Sequence, residues 1–282
     1  MKLSASLVSF EVLSLEGVVA VTRDLGFKEL DLYGHSQRAR AHIEPGEIAE
    51  NPQKVADRVK RSMDAADLTI GDFFPTFGVG VEDRAVNHPD PMVRKSNRAL
   101  FDKIVTFTRL TGTPGITLSP GIAFPGIAPS EAFETAVRAL GELVDEANAA
   151  GIALRVEPHV GSVLHTPELA LEMVHRVPGL KITLDYSHFM FLYIDQERVH
   201  QLIPYADHFH LRPAKKGYLQ TRWVDNGIDF NSILQRLKDV GYAGAIALEF
   251  VCQDWYGANQ IDVLSETFFT LRDIKPILER LN

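Results

Sequence analysis

The spacing of apolar residues changes period again and again along this chain. Short runs rich in apolar and β-branched residues, at positions 2–9, 28–33, 68–74, 115–119, 152–157, 181–186, 207–211 and 245–250, predict strands. Between them, apolar residues recur three and four apart and predict amphipathic helices. Phe133, Val137, Leu140 and Val144 do so within positions 130–149, and a similar pattern fills 230–240. Eight strand–helix units in 282 residues give about 35 residues each, the usual size of a closed (β/α)8 barrel. The expectation is one α/β domain over residues 1–282. An open doubly wound sheet needs a Gly-rich phosphate turn after its first strand. Phe77-Gly78-Val79-Gly80-Val81 is only a fragment of that motif, lies far from the first strand and reads as a flexible loop.

A weak internal echo supports the repeat. The stretches beginning at Gly26, Gly151 and Gly241 share one grammar: a glycine ends a helix, and a strand starts within a few residues. Helix-to-strand connections are therefore short. The strand-to-helix connections, 34–51, 75–91, 120–129, 212–229 and 251–260, are long. Long loops on one face mark the working end of a barrel.

Charge and cysteine usage narrow the chemistry. A formal net charge of −8 argues against a phosphate-backbone partner, so no nucleic acid is expected. The single cysteine, Cys252, makes no internal disulfide and no paired-cysteine zinc site, so His and carboxylates must hold any metal. No apolar run reaches the ~18 residues of a membrane span, and the first ten residues lack the apolar core of a signal peptide. A soluble, cytoplasmic protein with no membrane partner is expected, in a homo-oligomeric state.

Four predicted strands end in a metal-ligand type. Glu157 closes Leu154-Arg155-Val156-Glu157, and Asp185 closes Ile182-Thr183-Leu184-Asp185. His210 lies in His208-Phe209-His210-Leu211, and Glu249 closes Ile246-Ala247-Leu248-Glu249. Any one of them alone also reads as a solvated or helix-capping group. On strands 5 to 8 in succession they point to one divalent cation, Mn2+ first, with Mg2+, Co2+ or Zn2+ as alternatives. Strand alternation brings in further candidates: His159 on the face of Glu157, and His208 and Arg212 on that of His210. His188 follows Asp185 by three residues. Arg212 offers a rigid fork for an oxyanion or sugar hydroxyls. Trp255 and Tyr256 after strand 8, with Phe74 and Phe77 after strand 3, suit the apolar side of a sugar ring; Trp255 and Tyr256 equally suit an oligomer interface. Lys215 and Lys216 read as solvated, and Thr166-Pro167-Glu168 as a helix start.

Arg155-Val156-Glu157, Leu184-Asp185-Tyr186-Ser187-His188, His208-Phe209-His210-Leu211-Arg212, Asn226-Gly227-Ile228-Asp229-Phe230, Gly241-Tyr242-Ala243-Gly244 and Leu248-Glu249 together resemble the xylose isomerase-like TIM-barrel superfamily, ketose 3-epimerases above all. The resemblance implies a single divalent ion held at Glu157, Asp185, His210 and Glu249. It also implies proton transfer by Glu157 and Glu249, and substrate contacts from His188 and Arg212. The superfamily includes dehydratases, lyases and a DNA-repair endonuclease. The last uses more ligands on strands 2 and 3, where this chain offers only Asp31 and Asp72; His35 and His42 fall in the following loop. Two enzymatic readings follow. The first is isomerisation or epimerisation of a small sugar or sugar-like ketone, with proton transfer through a metal-stabilised enediolate. The alternative is a lyase or dehydratase on a keto-sugar, keto-glycoside or keto-inositol. In either case Asp185→Asn is expected to strip the metal and spare the fold.

Overall fold

The computed structural model describes residues 1–37 and 39–281; the side chain of Trp255 lies outside what is described. Eight parallel strands close into a barrel in sequence order: β1 (Lys2–Ser6), β2 (Glu29–Gly34), β3 (Thr69–Pro75), β4 (Gly115–Leu118), β5 (Ala153–Val156), β6 (Lys181–Asp185), β7 (Ala206–Leu211) and β8 (Ala245–Leu248). β8 pairs with β1 through Lys2↔Ala245 to Ala5↔Leu248, which closes the ring and leaves no sheet edge. Every strand expected from the sequence is present. The first is shorter than its apolar run, because Leu7–Phe10 tightens into a 3-10 turn.

Helices fill the connections. Pro129–Ala149 buries Phe133, Ala136, Leu140 and Val144 on one face, as the three-and-four spacing requires. Phe230–Asp239 starts at Asp229, whose carboxylate accepts the Ser232 N–H at 3.1 Å. Thr166 caps Pro167–Arg176 in the same manner. The long 34–51 connection also carries a short helix, Pro45–Glu50. No helix among the described residues is long and apolar enough to cross a membrane.

The strands alternate in an uncommon sense. Ala5, Leu30, Leu32, Ile116, Leu154, Ile182, Leu184, Phe209, Leu211, Ile246 and Leu248 belong to the apolar core. The residues between them are polar yet buried: Ser4, Asp31, Asp72, Thr117, Arg155, Thr183 and His208. These polar groups satisfy one another across the barrel. Asp31 accepts from Ser4 at 2.7 Å and pairs with His208 at 2.6 Å. Arg155 reaches Asp72 at 2.6 Å and Asp207 at 2.7 Å. Thr117 and Thr183 share a hydrogen bond of 2.5 Å. A buried polar group needs such a partner, and a buried charge needs one more. Two glycines make room for this layer. A Cβ on Gly71 would stand 2.4 Å from Asp31 Oδ1, and one on Gly115 would stand 2.0 Å from the Arg155 guanidinium.

Candidate metal and substrate site

Register sets the site. Asp185 on β6 pairs with His210 on β7, so the two side chains stand side by side at one level. Glu157 directly follows β5, and its N–H is tied to Leu118 O at 3.1 Å. Glu249 directly follows β8, with its N–H on Leu211 O at 3.1 Å. One donor atom each from Glu157, Asp185, His210 and Glu249 lies within 4.8 Å of the others, and all four residues are buried. The four expected ligands therefore converge. A second grouping, Asp31, His208 and His210, is equally tight, but Asp31 and His208 pair with each other at 2.6 Å and neither lines the mouth cavity.

Hydrogen bonds link these donors to one another and, for some, to the surrounding frame. Asp185 Oδ1 caps the helix Tyr186–Phe191 by accepting Ser187 N–H at 2.8 Å, and Oδ2 accepts from Arg212. Arg212 also donates to Ser187 Oγ at 2.9 Å and lies 2.9 Å from His188 Nε2. His210 Nδ1 lies 2.6 Å from Glu157 Oε1 and 3.4 Å from Glu249 Oε1. Burial alone lowers the His210 imidazole, but the carboxylates of Glu249 and Glu157 outweigh it and hold its pKa at about 10. Burial raises the Glu157 carboxyl. Burial also pushes Glu249 upward, yet His210, Arg212 and the Tyr33 phenol overcome it and hold that carboxyl below its ordinary value. The two glutamates are thus electrostatically unlike. Three buried carboxylates and one imidazole form a donor set that fits an oxygen-preferring divalent cation.

Beside these donors lies a cavity of about 140 Å³ at the C-terminal mouth of the barrel. Ser119, His159, His188 and Arg212 line its polar wall, and Val8, Phe74, Val81 and Val251 its apolar one; Tyr33, Glu157 and Glu249 also face it. His159 Nδ1 lies 2.8 Å from the Val160 carbonyl, so that nitrogen bears the proton, and Ser119 donates to Nε2 at 2.8 Å. Burial, then Arg212, push His188 well below the ordinary histidine value, so it is neutral. A larger hollow of about 700 Å³ opens at the opposite mouth, but its buried cation, Arg155, is already paired with Asp72 and Asp207.

Several expectations need correction. His208 faces the barrel axis, as alternation requires, but sits one layer below the cavity, held by Asp31, and does not line it. Arg212 lines the cavity, but Asp185, Ser187 and His188 engage its guanidinium, so its fork serves the site's own frame. Phe77 turns inward and packs on Phe101 at 6.4 Å. Tyr256 is 53% exposed and rests against Phe191 at 4.7 Å, outside the cavity lining. The side chain of Trp255 lies outside the described residues. Sequence reading missed Tyr33 and Ser119. Tyr33 carried a usable signal, since it stands two residues past Asp31 on the inward face of β2.

The chain belongs to the xylose isomerase-like TIM barrel family, whose pattern it matches over residues 19–269. Comparison with curated protein sequences finds no match. Among solved structures, D-psicose 3-epimerase from Clostridium cellulolyticum H10, solved with D-tagatose, is 17% identical, with 99% of each chain covered and a TM-score of 0.77. The 3-keto-D-glucoside 4-epimerase YcjR from E. coli is 14% identical over 97% of this chain and 99% of its own, at 0.72. AsbF from Bacillus anthracis, described as the probable 3-DHS dehydratase of petrobactin synthesis, is 18% identical over 96% and 99%, at 0.71.

Proposed function

We propose that this protein is a divalent-metal-dependent isomerase or epimerase of a small sugar or sugar-like ketone, with Mn2+ as the working ion. One observation carries the reading: the donors of Glu157, Asp185, His210 and Glu249 converge within 4.8 Å beside the mouth cavity. A divalent ion held there supplies Lewis-acid polarisation of a carbonyl and its neighbouring hydroxyl. The remaining work falls to the chain. Glu157 and Glu249 leave the barrel on β5 and β8, on different sides of the donor ring. One removes the proton α to the carbonyl and the other returns it from the opposite face. His188 and the Ser119–His159 pair meet substrate hydroxyls along the polar wall. Val8, Phe74, Val81 and Val251 cover the apolar face of the sugar and keep water from the reacting carbon.

The test is a panel of ketoses and keto-glycosides incubated with Mn2+-loaded protein in deuterated water and followed by NMR. Deuterium entering the carbon next to the carbonyl, with a new stereoisomer or positional isomer, is the expected result. A new enone absorbance or a released aglycone assigns the chain to the lyase and dehydratase branch instead. No exchange with any member of the panel counts against both.

A further inference from the structure

We propose that Tyr33 is a positioning residue of this site: its phenol fixes the Glu249 carboxylate for metal binding, while Glu157 has no equivalent anchor. This rests on the reading above that both glutamates are ligands. Tyr33 lies at the C-terminal end of β2 and is 3% exposed. Its ring sits among Phe74 at 5.3 Å, His35 at 5.5 Å and His42 at 6.2 Å, so the phenol has little freedom to swing. Tyr33 Oη donates to Glu249 Oε1. β2 and β8 are not neighbours; β1 lies between them.

The two glutamates differ in what holds them. The close donor to Glu157 among the described residues is His210 Nδ1 at 2.6 Å, with His188 Nε2 standing off at 3.9 Å. His210 is itself one of the four groups that would hold the ion, so its contact with Glu157 would not serve as an independent anchor. The hydrogen bond to Glu249 comes instead from Tyr33, outside the four donors. Glu249 is therefore the fixed carboxylate and Glu157 the one free to swing toward substrate. A donor that orients a ligating carboxylate typically matters by 10–100-fold in metal affinity.

Calorimetric titration of wild-type and Tyr33→Phe proteins with Mn2+ tests this. Phenylalanine keeps the ring in its aromatic cage, so the melting temperature should stay close to wild type. Mn2+ affinity should fall about 10–100-fold. Glu249→Asp withdraws the carboxylate from the phenol by one methylene and should lose affinity too. Combined with Tyr33→Phe, it should lose little more, because both changes break the same contact. If Tyr33→Phe melts early, Tyr33→Met repeats the titration with the apolar volume kept. Unchanged affinity in the Tyr33 variants, or fully additive losses in the double variant, overturns the role of Tyr33 alone. A wild-type protein that binds no Mn2+ overturns the metal reading, and this proposal with it.

Discussion

His210 Nδ1 and Glu157 Oε1 lie 2.6 Å apart, close enough for one proton to bind both. A proton on that imidazole and a cation among the four donors compete for the same carboxylates. With the His210 pKa at about 10, the imidazole is charged at neutral pH and must give up its proton to become a ligand. Burial raises the Glu157 carboxyl to about 7, so above that pH Mn2+ affinity should rise about tenfold per pH unit to about pH 9, with one proton released per ion. Calorimetry in buffers of different ionisation heat counts that proton. Affinity that is flat with pH would remove His210 from the ligand set.

The same shift bears on the chelator-treated protein. His210 has a higher pKa in the folded chain than the ordinary histidine value. Its contribution is therefore fully present below about pH 6.5 and is lost as pH rises through about 10. Urea midpoints measured across that window should fall with rising pH. A His210→Gln variant should show a flatter profile over the same window.

Asp185→Asn should do more than strip the metal. The carboxylate is the partner of the buried Arg212 guanidinium as well as a helix cap. Asparagine keeps a capping oxygen but leaves that buried cation short of its closest counter-charge, at a cost of about 3 kcal/mol. The sequence-based expectation of an intact fold is thus replaced by one of reduced stability. Loss of Mn2+ with an unchanged melting temperature would contradict this account.

Glu249→Gln keeps an oxygen donor but accepts no proton. Turnover should fall by about 10²–10⁴, the usual weight of general acid–base catalysis, with Mn2+ still bound. Normal turnover would make Glu249 a ligand only, and His188 and His159 would be the next bases to test.

Arg155→Met separates barrel stability from site chemistry. It leaves Asp72 buried without its guanidinium, which should cost about 3–5 kcal/mol. Mn2+ affinity should stay at the wild-type value, because Arg155 is not among the four donors. A comparable loss of affinity would show that the floor of the barrel sets the geometry of its mouth.

The barrel and its four donors were legible in the sequence for one reason. Each of Glu157, Asp185, His210 and Glu249 ends an apolar run, and a charge at that place has nowhere to go but the mouth. Alternation also placed His208 on the correct face. It does not give depth along the axis, which comes from the stagger between strands: Thr183 pairs with His208, and only Asp185 pairs with His210. Arg212 was legible as a site residue but not as one already engaged, because Asp185 and Ser187 lie 27 and 25 residues away in the chain. Tyr33 escaped notice since a tyrosine in a strand reads as an ordinary β-former; its meaning comes from Glu249, 216 residues further on.

The buried polar belt beneath the site works as a keyed lock. Ser4 on β1 fits Asp31 on β2, which fits His208 on β7; Asp72 on β3 fits Arg155 on β5. A strand that slips by one residue turns its key outward and leaves an apolar side chain facing a charge. Oily interiors forgive such errors, since one aliphatic group replaces another at small cost. Here a slipped strand would leave a buried ion without its partner, so replacing one member of a pair should cost more than replacing both by apolar groups.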